Sequence, residues 1–222
     1  MVNSRTIAID GPVASGKSTV GSLVASQLSW QFVDTGLMYR AVAWLLSKKA
    51  IKKTNLDKIK TILDKHQIET TCDNEKTTIT IDGDIVNDYL SDPSVIKTVS
   101  EFSTIPYIRT YLVKKQRNLS EISSTVMAGR DIGTVVLPNA STKIFLQAGI
   151  KTRTTRKLSI LEQNDEESQK SITNEISHRD KIDSNRKISP LKAASDSFVI
   201  HTDNMNLKQV VNTIIDLNSY NK

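Results

Sequence analysis

The 222-residue chain, with 38% hydrophobic and 24% charged side chains, suits one large α/β domain with insertions. No apolar run is long enough to span a bilayer, residues 1–5 lack the apolar core of a signal peptide, and the single cysteine, Cys72, rules out an internal disulfide, so a cytoplasmic protein is expected. The net charge of +6 is spread out and aromatics are only 5%, so small phosphorylated ligands account for it at least as well as a polynucleotide does; we expect a monomer with no nucleic-acid and no membrane partner.

Thr6-Ile7-Ala8-Ile9-Asp10 reads as a buried strand. It feeds Gly11-Pro12-Val13-Ala14-Ser15-Gly16-Lys17-Ser18, which fits the phosphate-loop pattern of glycine, four residues, then Gly-Lys-Ser. Gly11 and Gly16 allow backbone conformations that turn successive N–H groups toward one anion. The following helix, residues 17–28, adds free N–H groups and the positive end of its dipole. Lys17 can reach terminal phosphates, and the Ser18 hydroxyl can ligate Mg²⁺. The expected ligand is a nucleoside triphosphate.

Phe32-Val33 is a short strand ending in Asp34-Thr35-Gly36, and Met38, Val42, Leu45 and Leu46 mark the next helix. Tyr39 and Arg40 fall in its first turns. Arg40 could grip a second phosphate, but a capping Asp34 with a solvated Arg40 reads equally well here. Leu56, Ile59, Ile62 and Leu63 suggest a short helix. Two threonine-rich stretches, 68–72 and 77–81, then alternate with period two, and Asp82-Gly83 turns the chain into a third, giving a small antiparallel meander inserted into the main domain.

Asp92-Pro93 and Pro106 open two further helices, the second carrying Arg109. Thr125-Val126-Met127-Ala128 is a buried strand whose end presents Gly129-Arg130-Asp131, a fork-shaped cation beside a carboxylate. Residues 143–147 form another strand. Residues 150–185 are polar and helical, interrupted near 163–167, and residues 197–201 are the last strand before a closing helix. Strands alternating with helices predict an open parallel sheet covered on both faces, with ligands at the strands' carboxyl ends. Three loops, ending at Ser18, Gly36 and Asp131, should therefore share one crevice.

In the polar stretch, Arg153, Arg156 and Lys157 share one helix face, and Arg179, Asp183 and Arg186 share another. On spacing alone, solvated faces with weak intrahelical ion pairs are the better account of both sets. The break between them would let the segment close as a lid that excludes water from a triphosphate. His66 and His201 belong to ordinary elements and His178 lies on the polar helix, so none receives a catalytic role. No general base is compulsory if the acceptor is a phosphate monoester, already largely ionised at neutral pH.

Taken together, these segments resemble the bacterial cytidylate (CMP) kinase family. The matching stretches are residues 9–19, 34–40, 129–136, 143–146 and 179–191, so the likeness covers nearly the whole chain. It implies a P-loop NTPase fold with a five-stranded parallel sheet, a core of residues 1–55, 104–150 and 187–222, a monophosphate-binding insertion at about 56–103 and a lid at about 151–186. It also implies ATP- and Mg²⁺-dependent phosphorylation of CMP and dCMP. By motif position, residues 11–19 (Thr19 included), Arg153 and Arg156 would serve ATP, and Ser18 the metal. Asp34, Thr35, Tyr39, Arg40, Ser100, Arg109, Gly129, Arg130, Asp131, Arg179, Asp183 and Arg186 would hold the acceptor, with Lys17, Arg130, Arg179 and Arg186 acting on the transferred group. This chain departs from the family in Val13-Ala14-Ser15, where a glycine-alanine pair is common, and in Lys157, where arginine is frequent. A kinase for shikimate or another small acceptor would share the fold but not the paired 129–131 and 183–186 sets. A GTPase switch would need an Asn-Lys-x-Asp reader, which is absent from the sequence.

Overall fold

The computed structural model describes residues 5–162 and 165–220. Five parallel strands, β1 (Thr6–Asp10), β2 (Gln31–Asp34), β6 (Thr125–Gly129), β7 (Thr142–Gln147) and β8 (Phe198–His201), lie in the order β2-β6-β1-β7-β8. This is the sheet expected from the alternating pattern. The order reverses around β1, which puts the loop after β1 at the point where ligands collect in such sheets.

Alternation along β1 divides the core. Ala8 faces one side, with Val33 and Met127, and packs under α2 (Thr35–Lys48) and α5 (Pro106–Ile122) through Met38, Val42, Leu45, Leu46, Ile108 and Leu112. Ile7 and Ile9 face the other, under α1 (Lys17–Leu28) and α8 (Leu207–Tyr220) through Val20, Val24, Val210, Val211 and Ile214. With both faces covered, the strands are buried runs and their carboxyl ends are held firmly in place.

A three-stranded antiparallel sheet, β3 (Ile68–Cys72), β4 (Thr77–Ile81) and β5 (Asp84–Ile85), is the expected meander. It is fastened to the edge strand β2. Phe32 N–H donates to the Asp73 carbonyl at 2.7 Å, and the Thr77 hydroxyl donates to the Phe32 carbonyl at 2.9 Å while accepting from Asp34 N–H at 2.8 Å. Around it lie α3 (Leu56–Lys65) and α4 (Pro93–Phe102), whose Asp92 cap accepts from Ser94 N–H as the Asp-Pro pair predicts.

The polar segment is two helices, α6 (Ile150–Leu161) and α7 (Glu166–Asn185). α7 ends at Asn185, short of Pro190, and Asp165 caps it by accepting Ser168 N–H at 2.7 Å. Of the expected interruption at 163–167, residues 163 and 164 lie outside the described residues, as do residues 1–4 of the leader reading. Two short elements escaped the sequence pattern: a 3₁₀ segment at Asn87–Ser91 and a single π-type turn at Ile132–Val136.

Candidate active site

The carboxyl ends of β1, β2 and β6 open into a cleft of 660 Å³, closed from above by α6 and α7. Residues 13–19, Asp34, Thr35, Tyr39, Arg40, Gly129, Arg130, Asp131, Arg156, Arg179, Asp183 and Arg186 all line it. The three expected loops do converge.

The donor loop is shaped by its glycines. At Gly11, with φ +154°, a Cβ would sit 2.3 Å from the Leu146 carbonyl oxygen; Gly16 has φ +94°. Lys17 turns back along the loop and donates to the Pro12 carbonyl at 2.6 Å and to Ser15 Oγ at 3.3 Å. Burial, then the nearby Arg130, holds its ammonium well below the usual lysine range despite Asp34 and Asp10. The Ser18 hydroxyl donates to Asp34 Oδ2 at 2.7 Å, and Asp34 Oδ1 caps α2 by accepting Gly36 N–H at 2.9 Å. Asp34 is thus a cap, as the bland reading had it, while its second oxygen meets the donor loop.

Facing the phosphate loop is a network of arginines and aspartates. Arg130 Nε donates to Asp183 Oδ2 at 3.0 Å, and Arg186 lies 3.8 Å from Asp183 and 3.9 Å from Asp131. Arg109 pairs with Asp131 from beneath the cleft, donates to the Ser103 carbonyl at 3.2 Å and stacks over the Tyr39 ring at 5.5 Å. Burial raises the Asp183 carboxyl, but Arg130, Arg179 and Arg186 together pull it below the usual range. Burial and then Arg130 push Arg179 down to about 10, and burial with Arg109 also lowers Arg186. Burial raises Tyr39 to about 12. Tyr39 Oη, Arg109 Nε, Arg179 Nε, and Arg186 Nε and Nη2 are buried with no hydrogen-bond partner among the described residues. Such donors are costly to leave unmatched and suit an anion. Arg40, also a lining residue, instead donates to the Gly36 and Leu90 carbonyls at 3.3 Å.

Other expected residues stand in or next to the wall. Ser100 is buried in α4, and its neighbours Ile96, Val99 and Ser103 line the cleft. Thr35 lines the wall but donates its hydroxyl to the Ala128 carbonyl at 2.8 Å, tying α2 to β6. The face shared by Arg153, Arg156 and Lys157 splits three ways. Arg156 reaches Thr202 O at 2.7 Å and the cleft; Lys157 pairs with Glu175 at 2.7 Å; Arg153 is buried, donating to the Ala148 and Val13 carbonyls and pairing with Asp180.

Two residues that the motif reading passed over organise the site. Asp10, at the end of β1, accepts Ile132 N–H and Gly133 N–H, both at 2.8 Å, and so anchors the π-type turn that follows Arg130 and Asp131. Its signal was a carboxylate in a buried strand. Asp180, beside Arg179, accepts Val13 N–H at 3.1 Å. Among the described residues there is no group of three or more His, Cys, Asp or Glu side chains that could hold a metal ion unaided.

A cytidylate kinase family model matches residues 7–219. Cytidylate kinases of Bacillus cytotoxicus and Clostridium tetani are 37% and 38% identical over 95% of this chain and 94% and 92% of their own lengths. A bifunctional pantoate ligase/cytidylate kinase of Prochlorococcus marinus is 40% identical over 98% of this chain, which covers 43% of that longer protein. Among solved structures, a gluconokinase of Sinorhizobium meliloti superposes with a TM-score of 0.51 at 12% identity, covering 97% of this chain and 92% of that one, a likeness of fold alone. No helix among the described residues is long and apolar enough to cross a membrane. By sequence along nearly its whole length, the chain belongs to the cytidylate kinase family.

Proposed function

We propose that the protein transfers the γ-phosphate of ATP to CMP or dCMP, with Lys17, Arg130, Arg179 and Arg186 acting on the transferred group. One observation carries the reading: a phosphate loop and a set of buried, partly unmatched arginines face each other across one cleft. Phosphoryl transfer needs alignment and charge stabilisation more than covalent chemistry. The loop N–H groups and the start of α1 hold the donor phosphates. A phosphate beside Lys17 restores the ammonium's charge, which burial otherwise disfavours. Arg130, Arg179 and Arg186 offer fork-shaped donors to equatorial oxygens, while Asp131 and Asp183 keep them from repelling one another. No histidine is found among the described residues that line the cleft, which suits an acceptor that brings its own ionised oxygen.

Mg²⁺ fits one place. Ser18 Oγ and the Asp34 carboxylate, 2.7 Å apart, are hard oxygen donors at the end of the loop, and the nucleotide's phosphates would complete the shell. When bound, the ion would offset the negative charge of the phosphates during transfer. In the same reading the region around the meander, about 56–103, is the acceptor-binding insertion, and α6 with α7, about 151–186, is a lid. The enzyme acts as a monomer on small anions. A coupled ADP assay across CMP, dCMP, UMP and AMP tests this: CMP and dCMP should turn over best, and faster turnover of UMP or AMP overturns the assignment.

A further inference from the structure

One lid helix touches both halves of the cleft. On α7, Ile172, Ile176 and Asp180 recur every four residues and so form one stripe. Ile172 and Ile176 are buried with Leu158 of α6, and Val13 and Ala14, the crest of the donor loop, pack against them. Asp180 finishes the stripe with a polar clamp. Its Oδ1 accepts Val13 N–H at 3.1 Å, and its Oδ2 pairs with Arg153 Nη1, which also donates to the Val13 carbonyl at 3.1 Å. Arg153 Nε is anchored on the Ala148 carbonyl at 2.9 Å, just past β7. Both backbone groups of Val13 are therefore held by the lid helices.

The adjacent stripe of the same helix, with Arg186 just past its end, faces the other half. Arg179, Asp183 and Arg186 line the cleft beside Arg130 and Asp131. Asp180 lies three residues from Asp183, about 4.5 Å along the axis, a span over which a helix is stiff. A slip of the helix on the donor loop is therefore carried into the acceptor network almost undiminished.

We propose that Asp180 is a positioning residue: by fixing α7 on the Val13 crest it sets where Arg179, Asp183 and Arg186 stand relative to both nucleotides. The proposal rests on the kinase reading above. Asp180 has no place among the residues that line the cleft, so its effect on the acceptor passes through the helix. A misplacement of about 1 Å at reacting groups costs about 10²-fold in rate.

The experiment compares the wild-type protein with Asp180→Ala and Asp180→Asn. Three readouts are taken: kcat with KM for ATP and CMP, the CMP dissociation constant by calorimetry without ATP, and the thermal midpoint. Asp180→Ala should lower kcat by about 10–100-fold and weaken CMP binding by about tenfold, although the side chain does not face the acceptor. Asp180→Asn keeps an acceptor for Val13 N–H but loses the ion pair with Arg153, so it should fall between wild type and Asp180→Ala, clearly below wild type in both kcat and CMP affinity. If Asp180→Ala melts earlier while kcat and CMP affinity stay within about twofold of wild type, the residue is structural and the proposal fails. If Asp180→Ala does not fold, Asp180→Asn decides alone: a reduced kcat with weaker CMP binding supports the proposal, and unchanged values overturn it. Failure of the wild-type protein to turn over CMP would instead defeat the kinase reading, while the ratio of variant to wild-type CMP affinity still tests the clamp.

Discussion

The donor and acceptor halves of the cleft are built in opposite ways. The donor half is one continuous loop whose working groups are backbone N–H groups, posed by Gly11 and Gly16 and packed between β1 and α1. The acceptor half draws side chains from four separate stretches, with Arg109, Arg130, Arg179 and Arg186 balanced on Asp131 and Asp183. Backbone dipoles carry no net charge to compensate. Buried guanidinium groups do, and so the acceptor half is part of the fold's electrostatic balance as well as its chemistry. Changes in the acceptor half should therefore cost stability and turnover together. Changes in the donor half should cost turnover alone.

The largest expected effect lies in the acceptor half. Asp183→Asn leaves Arg130, Arg179 and Arg186 beside a neutral amide in a site where the carboxylate is 2% exposed. Removing one partner from a buried ionic network costs about 3–5 kcal/mol, and CMP turnover should fall with it. Urea unfolding at neutral pH beside a turnover assay would measure both. If stability stays within about 1 kcal/mol of wild type, the two halves are not built differently after all.

Lys17→Met is the matching test of the donor half. The side chain is buried and its charge disfavoured by burial, so an apolar chain of similar length relieves that cost. Turnover should drop by about 10²–10³-fold, the usual loss for one preorganised charge donor. The thermal midpoint should hold or rise, and CMP should still bind in calorimetry. A midpoint that falls as far as that of Asp183→Asn would break the contrast.

The contrast also explains what the sequence made legible. The donor loop occupies eight consecutive residues, so spacing alone exposes it. The helices show through their apolar periodicity and the meander through alternating threonines. The acceptor half joins residues more than 140 apart, and Arg179, Asp183 and Arg186 read on spacing as a solvated helix face; the family resemblance, not the periodicity, pointed to them. Ser100, expected at the substrate, is buried in α4 while its neighbours Val99 and Ser103 line the cleft, and spacing along a helix does not say which of such neighbours faces a ligand. The π-type turn at Ile132–Val136 depends on Asp10, some 122 positions away in the chain, and no local pattern could reveal it. Asp180 was hidden for a related reason: one partner is the Val13 N–H of the phosphate loop, a backbone group that leaves no mark on the sequence, and the other, Arg153, lies 27 positions away.

Asp10 joins the two halves, because it ends the strand that feeds the donor loop and holds the turn that follows Arg130 and Asp131. Burial raises its pKa from 3.8 to about 6, against the opposing pull of the two N–H groups. Between about pH 4 and 6 the folded protein keeps a proton that the unfolded chain has released, so the contribution of Asp10 to stability declines as pH rises through that window. The difference is worth about 3 kcal/mol at most. Asp10→Asn cannot titrate and should flatten that part of the stability–pH curve. A variant curve parallel to the wild-type curve from pH 4 to 6 would show that Asp10 is already ionised throughout.

The smallest effect is expected where α6, on the proposed lid, turns away from both halves. Lys157 shares a helix face with Arg156, yet its ammonium turns away to Glu175 on α7, a half-exposed partner 2.7 Å distant, and it is not among the residues that line the cleft. A pair screened in this way contributes about 0.2–1 kcal/mol. Lys157→Ala should therefore shift the thermal midpoint by a few degrees at most and leave kcat and both KM values within about twofold. Arg156→Ala, which loses the bonds to Thr202 and a side chain on the cleft wall, should raise KM for ATP by clearly more. The departure from arginine at position 157 would then be harmless because that position works between the two lid helices and not on the nucleotide. If Lys157→Ala raises KM for ATP as much as Arg156→Ala does, the lysine must swing into the cleft on closure and join Arg156 at the donor.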